Sequence, residues 1–165
     1  MWNKLFLIVF GLSMSFLAIA ENSGVVSAEK IKEALTPVIK TRGLGATRQI
    51  DIRPSISLKV DFESRSAKVT STGETQLDEL ARALQSPELL EKRYAVDGHS
   101  DAKGSAKVNQ RLSESRAIAV KKYLVDRYGI GALRLVTKGY GSTSLLKPSE
   151  PYAAENRRVE IVELP

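Results

Sequence analysis

The stretch GHSDAKGSAKVNQRLSESRA, Gly98 to Ala117, decides how this chain is read. It places an acidic turn directly before a helix that carries an arginine on its apolar side. At 100° per residue from Asn109, the residues Val108, Leu112, Ala119, Val120 and Tyr123 fall within roughly 120° of one another. Arg116 lands near the middle of that arc, with Asn109 close beside it, while Gln110, Arg111, Glu114, Lys121 and Lys122 take the opposite, solvated arc. A guanidinium inside an apolar stripe is costly unless an anion meets it. Two readings follow from the wheel alone. Either Arg116 snorkels from the edge of the face with its head in water, or it meets a carboxylate, with Asp101 and a ligand as the nearest candidates.

Outward from this stretch, alternation and helical spacing order the rest. Ile56, Leu58, Val60 and Phe62 alternate with polar residues as a half-buried strand. Ser71 or Thr72 caps a helix with Leu77, Leu80, Ala81 and Leu84 at helical spacing, closed by Pro87. A second strand, Tyr94 to Gly98, delivers His99, Ser100 and Asp101 to its end. The long helix runs from Ser105 to Tyr128 and stops at Gly129. Strands over Arg134 to Lys138 and Arg158 to Val162 complete the order strand–helix–strand–helix–strand–strand. That order predicts an α/β sandwich (α+β), with two helices packed on one face of a mixed sheet.

Three separated motifs, G-H-S-D at Gly98 to Asp101, N-x-x-L-S-x-x-R-A from Asn109 to Ala117, and N-R-R-V at Asn156 to Val159, carry a resemblance. Together they resemble the C-terminal domain of the OmpA-like family over about Ile56 to Ile161. The resemblance implies that family's fold and its non-covalent, non-catalytic binding of peptidoglycan. It also implies a site for meso-diaminopimelate, whose free end carries an ammonium and a carboxylate on one carbon. Asp101 and Arg116 match the family's diaminopimelate-binding aspartate and arginine. An arginine suits a carboxylate because its planar fork gives two parallel hydrogen bonds. Ser100 stands where threonine is commoner and keeps a hydroxyl. Asn109 and Leu112 match the family's asparagine and leucine, and Asn109 either donates to a ligand carbonyl or ties down the Asp101 loop. Phe62 falls where relatives place further contacts. One of Arg157 and Arg158 is expected to face the cleft and the other to brace the fold. The segment before Asn156, P-Y-A-A-E, departs from the family's glycine–arginine form and alters the rim.

The first twenty residues read as a cleaved signal peptide, with Lys4 in the n-region, an apolar run from Leu5 to Ile19 and a small-x-small site at Ala18 to Ala20. The expected organisation is therefore 1–20 signal peptide, 21–53 a short N-terminal helix and linker arm, and 54–165 the peptidoglycan-binding domain. In the arm, Ser27 caps a helix from Ala28 to Ile39, with Pro37 disturbing its end, and Lys40 to Arg53 reads as a linker. A periplasmic location, in association with the outer membrane, goes with this organisation. The run Leu5 to Ile19 is short of the roughly 20 residues that span a bilayer and carries no ionisable residue, unlike the anchor of a stator-like relative.

There is no cysteine, so disulfides, thiolate metal sites, a cysteine nucleophile and a lipoprotein acceptor are all excluded. The formal net charge is +6, or +5 without Lys4. The basic residues are spread without interleaved aromatics, which argues against nucleic acid and suits an anionic envelope. His99 is the one histidine. A hydrolase triad of His99, Asp101 and a nearby serine is not expected, because neighbours in sequence seldom hydrogen-bond a base to both nucleophile and orienter, and one histidine is no metal ligand set. Neither cofactor nor metal is expected. A competing expectation is a protein-assembly module that docks an envelope partner through residues 21–53.

Overall fold

The computed structural model describes residues 24–37 and 53–165. The expected signal segment, residues 38 and 39 of the expected first helix, and residues 40–52 of the linker lie outside the described residues. The elements are α1 (Ala28–Leu35), β1 (Ser55–Leu58), α2 (Ser71–Leu84), β2 (Arg93–His99), α3 (Ala106–Tyr128), β3 (Leu135–Gly141) and β4 (Val159–Leu164), with 3-10 turns at Ala132–Arg134 and Ala154–Asn156. The sheet order is β1-β4-β2-β3. β1 and β2 both run antiparallel to β4, and β2 runs parallel to β3. A parallel pair needs a long crossover, and α3 supplies it. This is the mixed sheet with packed helices that the element order predicted.

The row Leu58–Val159–Gly98–Gly139 crosses all four strands and faces the helices. The next row, Ser57–Glu160–Asp97–Lys138, faces the other way. α3 lies against β2 and β3, and it lies close because the strands carry glycine there. A Cβ at Gly98 would stand 2.1 Å from the Ser113 carbonyl oxygen, and one at Gly139 would stand 2.5 Å from the Glu114 nitrogen. The buried side of α3 is consequently Asn109, Ser113, Ala117, Val120 and Leu124. This corrects the apolar arc drawn from the wheel. Val108 is 60% exposed, and the true inner face is about a quarter turn away from that arc. Two residues of the expected solvated arc also have partners: Gln110 donates to the Gly139 carbonyl at 2.6 Å and Lys121 to the Leu135 carbonyl at 2.7 Å.

Several boundaries differ from expectation. β1 ends at Leu58, and Phe62 makes only an isolated bridge with Val69, because the chain turns back through a hairpin instead of pairing with the sheet. The cap of α2 is Thr70, whose hydroxyl accepts the Gly73 N–H at 3.2 Å. β3 and β4 each begin one residue later than expected and run on to Gly141 and Leu164. α1 stops at Leu35, since Pro37 forces Thr36 into an extended conformation (φ −98°, ψ 123°). Ser27 holds the N-cap position of α1 without a side-chain bond; the Glu79 carboxylate takes the Ala28 N–H instead, at 2.8 Å.

α1 is part of the core. Ile31 and Leu35 are fully buried in one cluster with Leu58, Leu77, Leu80, Leu84, Tyr94, Leu124 and Ile161. Buried Gln76 fastens the approach to α1 by accepting the Val26 N–H (2.7 Å) and donating to the Val26 carbonyl (3.0 Å).

Candidate ligand-binding site

The turn after β2 is built to hold one carboxylate still. The His99 N–H donates to the Arg158 carbonyl and the Ser100 N–H to the Gly141 carbonyl, so the strand end is gripped from both neighbours. The Asp101 carbonyl accepts the Ser100 hydroxyl at 3.0 Å and the Asn109 amide at 3.2 Å. Its Oδ1 accepts the Lys103 N–H at 3.1 Å. Gly104, at φ +96°, then turns the chain into α3, where the Ser105 hydroxyl caps Val108. Oδ2 of Asp101 is left facing Arg157, whose Nη1 donates to it at 2.8 Å.

Arg116 reaches the same place from the third turn of α3. Its Nε donates to the Ser66 carbonyl at 3.0 Å, and its guanidinium carbon sits 4.9 Å from the centre of the Phe62 ring. Burial and the nearby Arg157 pull its pKa down, while Asp101 raises it; it remains a cation at physiological pH. It snorkels from the edge of the buried face, and it also meets Asp101 electrostatically. The two readings of the wheel are both partly realised. Its direct salt-bridge role to Asp101, however, is taken by Arg157.

Arg116, Arg157 and Phe62 line an open cleft of about 150 Å³, with Lys59, Val60, Asp61 and Ala154 completing its wall. A narrow recess of about 10 Å³ adjoins it, reaching His99, Arg158 and Val159. Asp101 reaches the cleft through Arg157. Of the two adjacent arginines, Arg157 is the half-exposed one over the cleft. Arg158 is buried, held by the Ser144 carbonyl (3.3 Å) and Glu160 (3.4 Å). Val159 and Ile161 face the helices, so alternation sends Arg158 to the opposite side of the sheet with Glu160.

The remaining expected site residues divide by orientation. Ser100 is buried with its hydroxyl on its neighbour's carbonyl, and Asn109 is committed to the Asp101 loop, so both support the turn. Leu112 is half-buried. Asn156 is fully buried and braces the rim, accepting the Lys147 N–H at 2.8 Å and donating to the Glu150 carbonyl at 2.9 Å. His99 stacks on Tyr140 with ring centres 5.2 Å apart and planes 5° from parallel. Burial, then Arg158, push its pKa down to about 4, so it is neutral at pH 7. Lys59, Asp61 and the Ser66 carbonyl were not singled out in the sequence. The polar half of the Ile56-to-Phe62 alternation was the available signal for the first two.

Two guanidinium groups thus converge beside one fixed carboxylate at one end of an α/β sandwich. The OmpA family profile matches residues 61–158, and the chain belongs to the OmpA family. It is 30% identical over 145 residues to outer membrane porin F of Pseudomonas aeruginosa, covering 86% of this chain and 40% of the porin, so it spans well under half of that relative's length. Among solved structures it resembles the cell wall anchor of the T6SS from Pseudomonas aeruginosa (TM-score 0.54, 28% identity, 67% of this chain and 80% of that one). It likewise resembles the peptidoglycan-associated lipoprotein from Burkholderia pseudomallei (TM-score 0.52, 26% identity, 66% of this chain and 89% of that one).

Proposed function

We propose that this chain binds peptidoglycan reversibly and without catalysis, in the periplasm, by holding the zwitterionic end of meso-diaminopimelate. The observation that carries the reading is the sharing of Asp101 by Arg157 while Arg116 stands by, two cations to one carboxylate. A ligand carboxylate balances the excess cation through the guanidinium forks. The ligand ammonium takes Asp101, whose Oδ1 is already fixed by Lys103. Phe62 walls the cleft and sheds water from Arg116. The solved neighbours named for a cell wall anchor and for peptidoglycan association support the same reading.

The reading of residues 21–53 as a docking arm has less support. Ile31 and Leu35, the apolar side of α1, are already used inside the core. The test of the site is Arg116→Gln in a sacculus-binding assay. A loss of about 2–5 kcal/mol is expected, as for one partner removed from a desolvated charge pair. Undiminished binding by the folded variant would reject the assignment.

A further inference from the structure

Resting on that reading, we infer that Ser66 is a positioning residue for Arg116, and that the left-handed backbone of Arg65 is what turns the Ser66 carbonyl toward it. The hairpin that carries both residues is fastened at its root and at its tip. At the root, the Asp61 carbonyl accepts the Thr70 N–H and the Thr70 hydroxyl, each at 3.1 Å. A Cβ at Gly73 would stand 2.3 Å from that same oxygen, so the first turn of α2 closes directly on the root. At the tip, the Glu63 N–H donates to the Lys68 carbonyl (2.9 Å), the Ser66 N–H to the Glu63 carbonyl (3.1 Å) and the Lys68 N–H to the Ser66 hydroxyl (3.0 Å). The N–H and the hydroxyl of Ser66 are thereby engaged within the tip. Its carbonyl faces out, 3.0 Å from Nε of Arg116.

The bond from the Ser66 N–H to the Glu63 carbonyl closes a four-residue turn, and Arg65 at its third position has φ +53°. It is the one non-glycine residue at positive φ among the described residues. Such a position ordinarily takes glycine or asparagine, because a Cβ there crowds the following carbonyl. The strained residue therefore directly precedes the carbonyl that holds Arg116. The consequence for a ligand is geometric. A guanidinium offers a carboxylate two edges with paired donors, Nη1 with Nη2 and Nε with Nη2. The Ser66 carbonyl occupies Nε, and Phe62 covers one face of the plane. The edge left for a ligand carboxylate is Nη1 with Nη2. Ser66 thus selects which edge of Arg116 the cleft presents.

Arg65→Gly and Arg65→Val remove the same charge and differ in whether residue 65 takes a positive φ without strain. In titration calorimetry with the tripeptide L-Ala-γ-D-Glu-meso-diaminopimelate, Arg65→Gly is expected to bind within about twofold of the unmodified protein. Arg65→Val is expected to bind about five- to tenfold more weakly, the scale of a left-handed backbone penalty read as an equilibrium factor. The second readout needs no ligand: hydrogen exchange of the Arg116 Nε–H, whose NMR signal is identified by its loss in Arg116→Gln. That exchange is expected to be slow in the unmodified protein and in Arg65→Gly, and fast in a folded Arg65→Val. Equal weakening in both variants assigns the effect to the charge of Arg65, and unchanged affinity in both removes the backbone effect. Either result overturns the positioning role while leaving the zwitterion site standing. So does an Arg116 Nε–H that exchanges at the solvent rate in the unmodified protein, whatever the fate of the variants. Failure of the unmodified protein to bind the tripeptide overturns the zwitterion reading and the positioning role with it.

Discussion

Asp101→Asn removes one charge from the site and nothing else from the fold. Asparagine keeps an oxygen where Oδ1 accepts the Lys103 N–H, and the Asp101 carbonyl keeps its bonds from Ser100 and Asn109. The lost contact within the protein is the 2.8 Å pair with Arg157, whose side chain is 48% exposed. A pair so open to water contributes about 0–1 kcal/mol to stability, so the unfolding midpoint should move by only a few degrees. Binding should respond quite differently. The Asp101 side chain is only 13% exposed, and in the proposed complex it faces a ligand ammonium with most of its water gone. Truncating one partner of such a pair costs about 2–5 kcal/mol, and the half-open Arg157 side places this site near the lower limit. About 2 kcal/mol is a roughly 30-fold loss of affinity. Calorimetry with the diaminopimelate tripeptide reads this directly, with a thermal melt on the same sample. Binding within twofold of the unmodified protein, at an unchanged melt, would refute the placement of the ammonium on Asp101.

Three further outcomes follow from the packing. Gly98→Ala drives a methyl to 2.1 Å from the Ser113 carbonyl oxygen and pushes α3 off the sheet, for a loss of about 3 kcal/mol; a melt within two degrees or so of the unmodified protein would contradict the close approach. Gln76→Leu strands the Val26 N–H and carbonyl, so amide exchange across residues 26–35 should accelerate well beyond that of β2, at a cost of about 1–3 kcal/mol. Burial holds His99 at a pKa of about 4, below its unfolded value near 6.5, so the unfolded chain binds the extra proton between these limits. Stability from this group is therefore complete above about pH 6.5 and is lost as pH falls toward 4, by about 3 kcal/mol. Asp97, whose pKa is raised by burial and by Glu160, works in the opposite sense within the acidic part of that window. His99→Phe keeps the stack on Tyr140, and denaturant titrations across this range should show a flatter profile; an unchanged slope would remove His99 as its source.

The order of elements was legible because each helix and strand is long enough to show its own period. The Leu58–Val60 alternation correctly marked which side chains are buried, yet it could not show that pairing stops at Leu58. A ladder depends on the partner strand, and β4 lies a hundred residues away. The inner face of α3 was misplaced for a related reason. Apolarity is a poor guide when the interface is made by close approach of small residues, here Ser113 and Ala117 over Gly98 and Gly139. Glycines at the ends of two strands were the signal for it. Asp101 and Arg116 were singled out through family motifs, while the direct partner of Asp101 was not. Arg157 is 56 positions along the chain, and only the strand direction of β4 decides that it and not Arg158 looks into the cleft.

The central claim is that the cleft holds the zwitterion of diaminopimelate within intact cell wall. The most direct test is co-sedimentation of purified residues 21–165 with isolated Gram-negative sacculi, in competition with free meso-diaminopimelate. The account predicts that the protein pellets with the sacculi and that the free amino acid returns it to the supernatant. A folded protein that stays in the supernatant, or one that pellets regardless of added diaminopimelate, would contradict it.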